Sequence, residues 1–160
     1  MVFEDYLGIM QAIARYGHAL DAGAVPFDQV VTEDVEFDMT QAGPTAQPGP
    51  VVRGREQVLE AMTGSRQDPY SYRRAGAGAG ATDAAAGTAA APRPALSHHT
   101  TNSEIVADRG DEVEVRSKYV RLGSPQPGPM PVLIGQYLDT LRRTEDGWRI
   151  CRRVIIAHGM

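Results

Sequence analysis

At 160 residues, 42% of them hydrophobic, the chain suits one domain with a single core and leaves little room for a second. Sixteen basic against twenty acidic residues give a formal charge of −4, and no basic stripe is interleaved with aromatics, so the electrostatic footprint of nucleic-acid binding is missing. The lone Cys151 cannot form an intrachain disulfide, and no apolar run approaches the roughly 20 residues of a membrane span or has the pattern of a secretory leader; the expected setting is the cytoplasm.

In chain order, Ile9, Ile13, Tyr16 and Leu20 recur at steps of four, three and four, which predicts a helix over Glu4–Ala22 with Gly23 as its stop. Pro26 suits the first turn of a short second helix reaching Val31, because its fixed φ is helical and its missing N–H would be unpaired there anyway. A strand is expected over Asp34–Met39. Three prolines and two glycines make Thr40–Pro50 a loop, and Arg55–Met62 then reads as a third helix with Val58, Leu59 and Met62 apolar.

The stretch Ala75–Ala95 is almost wholly Ala, Gly, Thr and Pro, with little to offset its ordering entropy, and is expected to be a flexible insertion. Beyond it the period changes. Ser97–Ala107, Glu112–Leu122, Met130–Arg143 and Trp148–Ala157 are rich in Val, Ile, Thr and Tyr, and turn-forming residues separate them, which predicts four antiparallel strands. Val113, Val115 and Tyr119 share one face and Glu114, Arg116 and Lys118 the other, as in a sheet covered on one side. Helices first and a meander afterwards indicate an α+β fold with the helices on the concave face of a curved sheet.

Two distant polar clusters stand within these core-forming segments: Tyr16, His18 and Asp21, then His98, His99 and Asn102. Burying such groups costs free energy, so a shared internal site is the first hypothesis. Asp21 lies in the last turn of its helix, where the macrodipole disfavours negative charge, which suits a carboxyl that trades protons. Tyr16 lies about 140° from it around the helix, so the two meet only through a reaching Tyr side chain or at a helix edge. The bland alternative is a core Tyr16 beside an Asp21–His18 pair at i−3.

His98 and His99 are neighbours in a strand, so their rings leave on opposite sides and are poorly placed to share a metal ion. Strand parity groups His98 with Thr100 and Asn102, and one of the two imidazoles faces the interior. Tyr137 and Asp139, with Arg152 and Arg153, either line the site or form cross-strand pairs on a solvated face. Trp148 reads as core and Cys151 as a small buried apolar residue. No Gly-rich phosphate loop, nucleophile elbow or Cys cluster is present, so no cofactor is expected.

The helix Ile13-Ala-Arg-Tyr-Gly-His-Ala-Leu-Asp21, the opening His98-His-Thr-Thr-Asn102, the strand Gly135-Gln-Tyr-Leu-Asp139 and the closing Asp146-Gly-Trp-Arg-Ile-Cys-Arg-Arg153 together resemble the SnoaL-like polyketide cyclase/dehydratase branch of the nuclear transport factor 2-like superfamily. The resemblance covers nearly the whole chain apart from the Ala/Gly insertion. It implies a cone-shaped α+β barrel, with three helices and a strongly curved, mainly antiparallel sheet around a pocket, and a homodimer through the outer sheet face. It also implies cofactor- and metal-free acid/base chemistry on a hydrophobic small molecule, with Tyr16, Asp21 and His98 as catalytic residues. His99 competes with His98 for that place beside Asn102, and Arg153 matches the family's C-terminal arginine; Tyr119, Tyr137 and Asp139 join them as candidate supporting residues read from their strands.

The expected function is therefore cyclisation of a polyketide-type, oxygenated intermediate in natural-product biosynthesis, with dehydration or isomerisation of a similar substrate as alternatives. A non-catalytic ligand-binding or dimerisation module is the reading from a different class, because one scaffold carries many functions.

Overall fold

The computed structural model describes residues 1–21, 25–42, 49–64, 97–122 and 132–158. The expected insertion at 75–95, the Gly23 stop, the loop at 123–129 and the centre of the 40–50 loop lie outside the described residues. Among these described residues two α-helices, α1 (Phe3–Asp21) and α2 (Arg55–Gly64), accompany six strands: β1 (Val31–Gln41), β2 (Val51–Arg53), β3 (Ser97–Asp108), β4 (Glu112–Leu122), β5 (Val132–Thr144) and β6 (Gly147–His158). They form one curved, unclosed sheet in the order β2-β1-β6-β5-β4-β3. The short helix expected after Pro26 is a single 3₁₀ turn, Phe27–Gln29.

The stripe read from the sequence is the buried face of α1: Ile9, Ile13, Tyr16 and Leu20 are all inside, joined by Ala12 and Ala19. Each large aliphatic on it contributes about 2 kcal/mol by leaving water. Small residues set how closely the helix approaches the sheet. A Cβ on Gly8 would stand 3.0 Å from the Trp148 ring, and one on Gly17 would stand 3.0 Å from the His98 carbonyl oxygen. Trp148 is core, as expected, and its indole N–H reaches Asp5 at 3.3 Å.

The last four strands form the predicted antiparallel meander, turning at Gly110 and Gly147, both with positive φ. Strand β1 is longer than its sequence signature and runs parallel to β6, which places Phe37 beside Arg153. The three residues of β2 are too few to give an alternation signal, and they pair on the outer edge of β1. Inward-facing Val35, Phe37 and Met39 of β1, Val113 and Val115 of β4, and Leu141 and Ile150 of β5 and β6 complete the core under α1.

Candidate active site

At its C-terminal end α1 meets the start of β3. The Asp21 carboxylate accepts the backbone N–H of His98 through Oδ2 at 2.8 Å, and its Oδ1 shares a hydrogen bond with Nδ1 of the same residue's ring. The His98 side chain is only 7% exposed and that of Asp21 is 23% exposed. Two contacts from one carboxylate to one residue fix both the backbone and the ring, the usual means of orienting a proton-transferring imidazole. Gly17, one turn before Asp21, is what lets the helix backbone come this close.

Tyr16 lies on the inner side of this pair. Its ring meets His98 edge-on with centroids 6.5 Å apart, and meets Tyr137 edge-on at 5.9 Å. The Arg153 guanidinium carbon sits 3.8 Å from the Tyr16 centroid and 4.0 Å from that of Tyr137. Arg153 also donates Nε and Nη2 to the two oxygens of Asp139 at 2.6 and 2.7 Å. Tyr119 stacks on Tyr137 at 4.4 Å, and Gly135 makes the room for it.

Burial raises the Tyr16 phenol above its ordinary pKa, with the Arg153 charge pulling partly the other way. Burial lifts Tyr137 well above the ordinary value too, reinforced by Tyr16. Both therefore stay protonated through neutral pH and act as hydrogen-bond donors, not as bases. Desolvation works against the charge on Arg153, but Asp139 outweighs it and keeps the guanidinium firmly charged. Tyr16 Oη, Arg153 Nη1 and Ser117 Oγ are buried and have no hydrogen-bond partner among the described residues. Such atoms are costly unless something with complementary polarity visits them.

The structure thus brings together Tyr16, Asp21 and His98, and gathers Tyr119, Tyr137, Asp139 and Arg153 on the same inner face. The solvated-face alternative for Tyr137 and Asp139 does not hold, since both are buried; it applies to Arg152, which pairs outside with Glu36. His18 is exposed and is not the partner of Asp21. Cys151 is buried, its thiol donating to the Thr140 carbonyl at 3.3 Å, and burial raises its pKa.

Two expected residues stand elsewhere. His99 is exposed and exchanges a 2.8 Å hydrogen bond with the Ser97 hydroxyl. Asn102 is exposed at φ 53, where β3 gains a residue relative to β4: Thr101 pairs with Lys118, but the next pair is Glu104 with Arg116. This bulge breaks the parity that linked Asn102 to His98. Ser117 is a further inner-face residue, and the alternation Val113, Val115, Tyr119 is the signal in the sequence that locates it. Gly17 carried no recognisable signal, because its role exists only once β3 lies against α1.

The family model of the SnoaL-like domain matches residues 1–154. Among solved structures, the chain is similar to a provisionally assigned aromatic ring hydroxylase from Novosphingobium aromaticivorans, with TM-score 0.67 and 22% identity over 98% of this chain and 91% of that one. A provisionally assigned scytalone dehydratase from the same organism gives 0.61 and 21%, over 98% and 89%. An NTF2-like protein with a cystatin-like fold, also from that organism, gives 0.63 and 21%, over 96% and 82%. Identities of this size speak to the shared fold. No curated protein matches the sequence. None of the helices among the described residues is long and apolar enough to cross a membrane.

Proposed function

We propose that this chain, which belongs to the SnoaL-like domain family of the nuclear transport factor 2-like superfamily, is a cofactor-independent acid/base enzyme acting on an oxygenated, largely apolar small molecule. The observation that carries the reading is the pairing of Asp21 with a nearly buried His98 beside a neutral, buried phenol. A structural ion pair alone would not require Tyr16 Oη to stand in the interior with no hydrogen-bond partner among the described residues. That hydroxyl is accounted for if it serves a guest.

In this mechanism the His98 imidazole takes a proton from an acidic C–H or hydroxyl of the substrate, and Asp21 holds the ring and stabilises the imidazolium that forms. Tyr16 donates to the oxygen on which negative charge develops, in a setting too dry for water to compete. The same imidazolium returns the proton at a second position. Cyclisation of a polyketide-type intermediate is the finer reading, and it rests on the family. Dehydration uses the same groups with a hydroxyl as leaving group, and the likeness to a provisionally assigned scytalone dehydratase keeps it as the second reading. The protein is further read as a homodimer through the outer sheet face, where Ile134 and Leu138 of β5 are exposed.

The test is turnover of candidate intermediates by wild type, Asp21→Asn and His98→Ala, each shown to fold. Each variant should lose about 100-fold or more. Near-wild-type rates in both would end the assignment. Product of unchanged mass marks cyclisation or isomerisation, and loss of water marks dehydration.

A further inference from the structure

His98 has a cross-strand partner that the mechanism above does not use. It is paired directly with Arg121 of β4. Residues opposite one another in an antiparallel pair send their side chains to the same face, with Cβ atoms about 5 Å apart. The alternation of β4 agrees, because Arg121 continues the inward series Val113, Val115, Ser117 and Tyr119. Its charge is also felt at the buried Tyr16 hydroxyl. Arg121 is half-buried and forms no hydrogen bond or ion pair with any described residue.

The charges on this face do not cancel. Asp139 is closed against Arg153, and Asp21 is committed to His98. Among the described residues Arg121 is left over as a cation on an otherwise aromatic and aliphatic wall, partly removed from water. A guanidinium in that position is a poor choice for packing and a good one for a planar anion, which it can grip with two parallel N–H donors.

We infer that Arg121 reads a carboxylate on the substrate, so that the molecule turned over beside His98 is an aromatic or polyketide-like acid, not a neutral one. One cation uncompensated among the described residues balances one negative charge. A phosphate dianion would leave surplus negative charge near Asp21 and Asp139, which a partly dry site penalises. This rests on the proposed function for its location, but its test does not depend on turnover.

The probes are 1-naphthylacetate and its neutral near-isostere 1-naphthylacetamide, titrated into the folded full-length chain by calorimetry. Wild type should bind the acid about tenfold or more tightly than the amide. Arg121→Gln should bring the two affinities within about twofold by weakening the acid alone, and Arg121→Met carries the same expectation should the Gln variant fail to fold. His98→Ala should keep the acid preference while losing turnover, which separates recognition from chemistry. Equal affinities in wild type, binding of neither probe, or an acid preference that survives both Arg121 substitutions would overturn the inference. Retained turnover in His98→Ala with the acid preference intact would instead overturn the proposed function and leave Arg121 as an anion reader.

Discussion

Asp139 and Arg153 face each other as a register pair across β5 and β6 and close a two-point bridge in which neither side chain is exposed to solvent. Removing one partner strands a buried charge. Asp139→Asn should therefore lower the unfolding free energy by about 3–5 kcal/mol, measured by urea denaturation. The double change Asp139→Leu with Arg153→Met should lose less than Asp139→Asn, because no ion then remains to be desolvated.

Tyr16→Phe separates stability from chemistry. The hydroxyl has no partner among the described residues, so its removal should leave stability within about 0.5 kcal/mol of wild type, or slightly above it. Turnover should fall about 100-fold, the usual cost of losing an oxyanion donor. A large loss of stability with unchanged turnover would mark the phenol as structural.

Acid pH should act through Asp5. The Arg143 hydrogen bond, opposed in part by desolvation, lowers its pKa from 3.8 to about 2. The folded value lies below the unfolded one, so this contribution is complete above about pH 4 and is lost as the pH falls toward about 2. Asp5→Asn should have a lower urea midpoint than wild type at pH 6, and the gap should narrow steadily below about pH 4 and close only as the pH falls through about 2.

Gly135→Ala tests the packing behind the aromatic wall. A Cβ there would lie 2.0 Å from the Ile156 carbonyl oxygen and 2.6 Å from the Tyr119 ring. Neither the paired strand nor the stacked ring can give way freely, so the variant should lose about 1–3 kcal/mol or more. Thermal unfolding followed by circular dichroism would measure this.

Local periodicity carried most of the fold into view. The 3.6-residue recurrence at Ile9, Ile13, Tyr16 and Leu20 locates α1 and its inner face, and the two-residue recurrence at Val113, Val115 and Tyr119 does the same for β4. Tyr16 and Asp21 proved compatible despite their angular separation because they flank His98 from different directions. The parallel β1–β6 pairing was not legible, since it depends on contacts between segments more than a hundred residues apart. The same holds for the partner of Asp21: His18 is near in sequence, whereas His98 is near only after the chain has folded.

The extra residue at Asn102 has a consequence for anyone moving this machinery. Upstream of it the even-numbered His98 looks inward; downstream the odd-numbered Ser103 and Ile105 do. Excise that one asparagine and the strand must choose, turning either its imidazole or its hydrophobic half to the outside. Transplanting the histidine into another scaffold, or trimming β3 to rigidify it, therefore means carrying the kink along with the base.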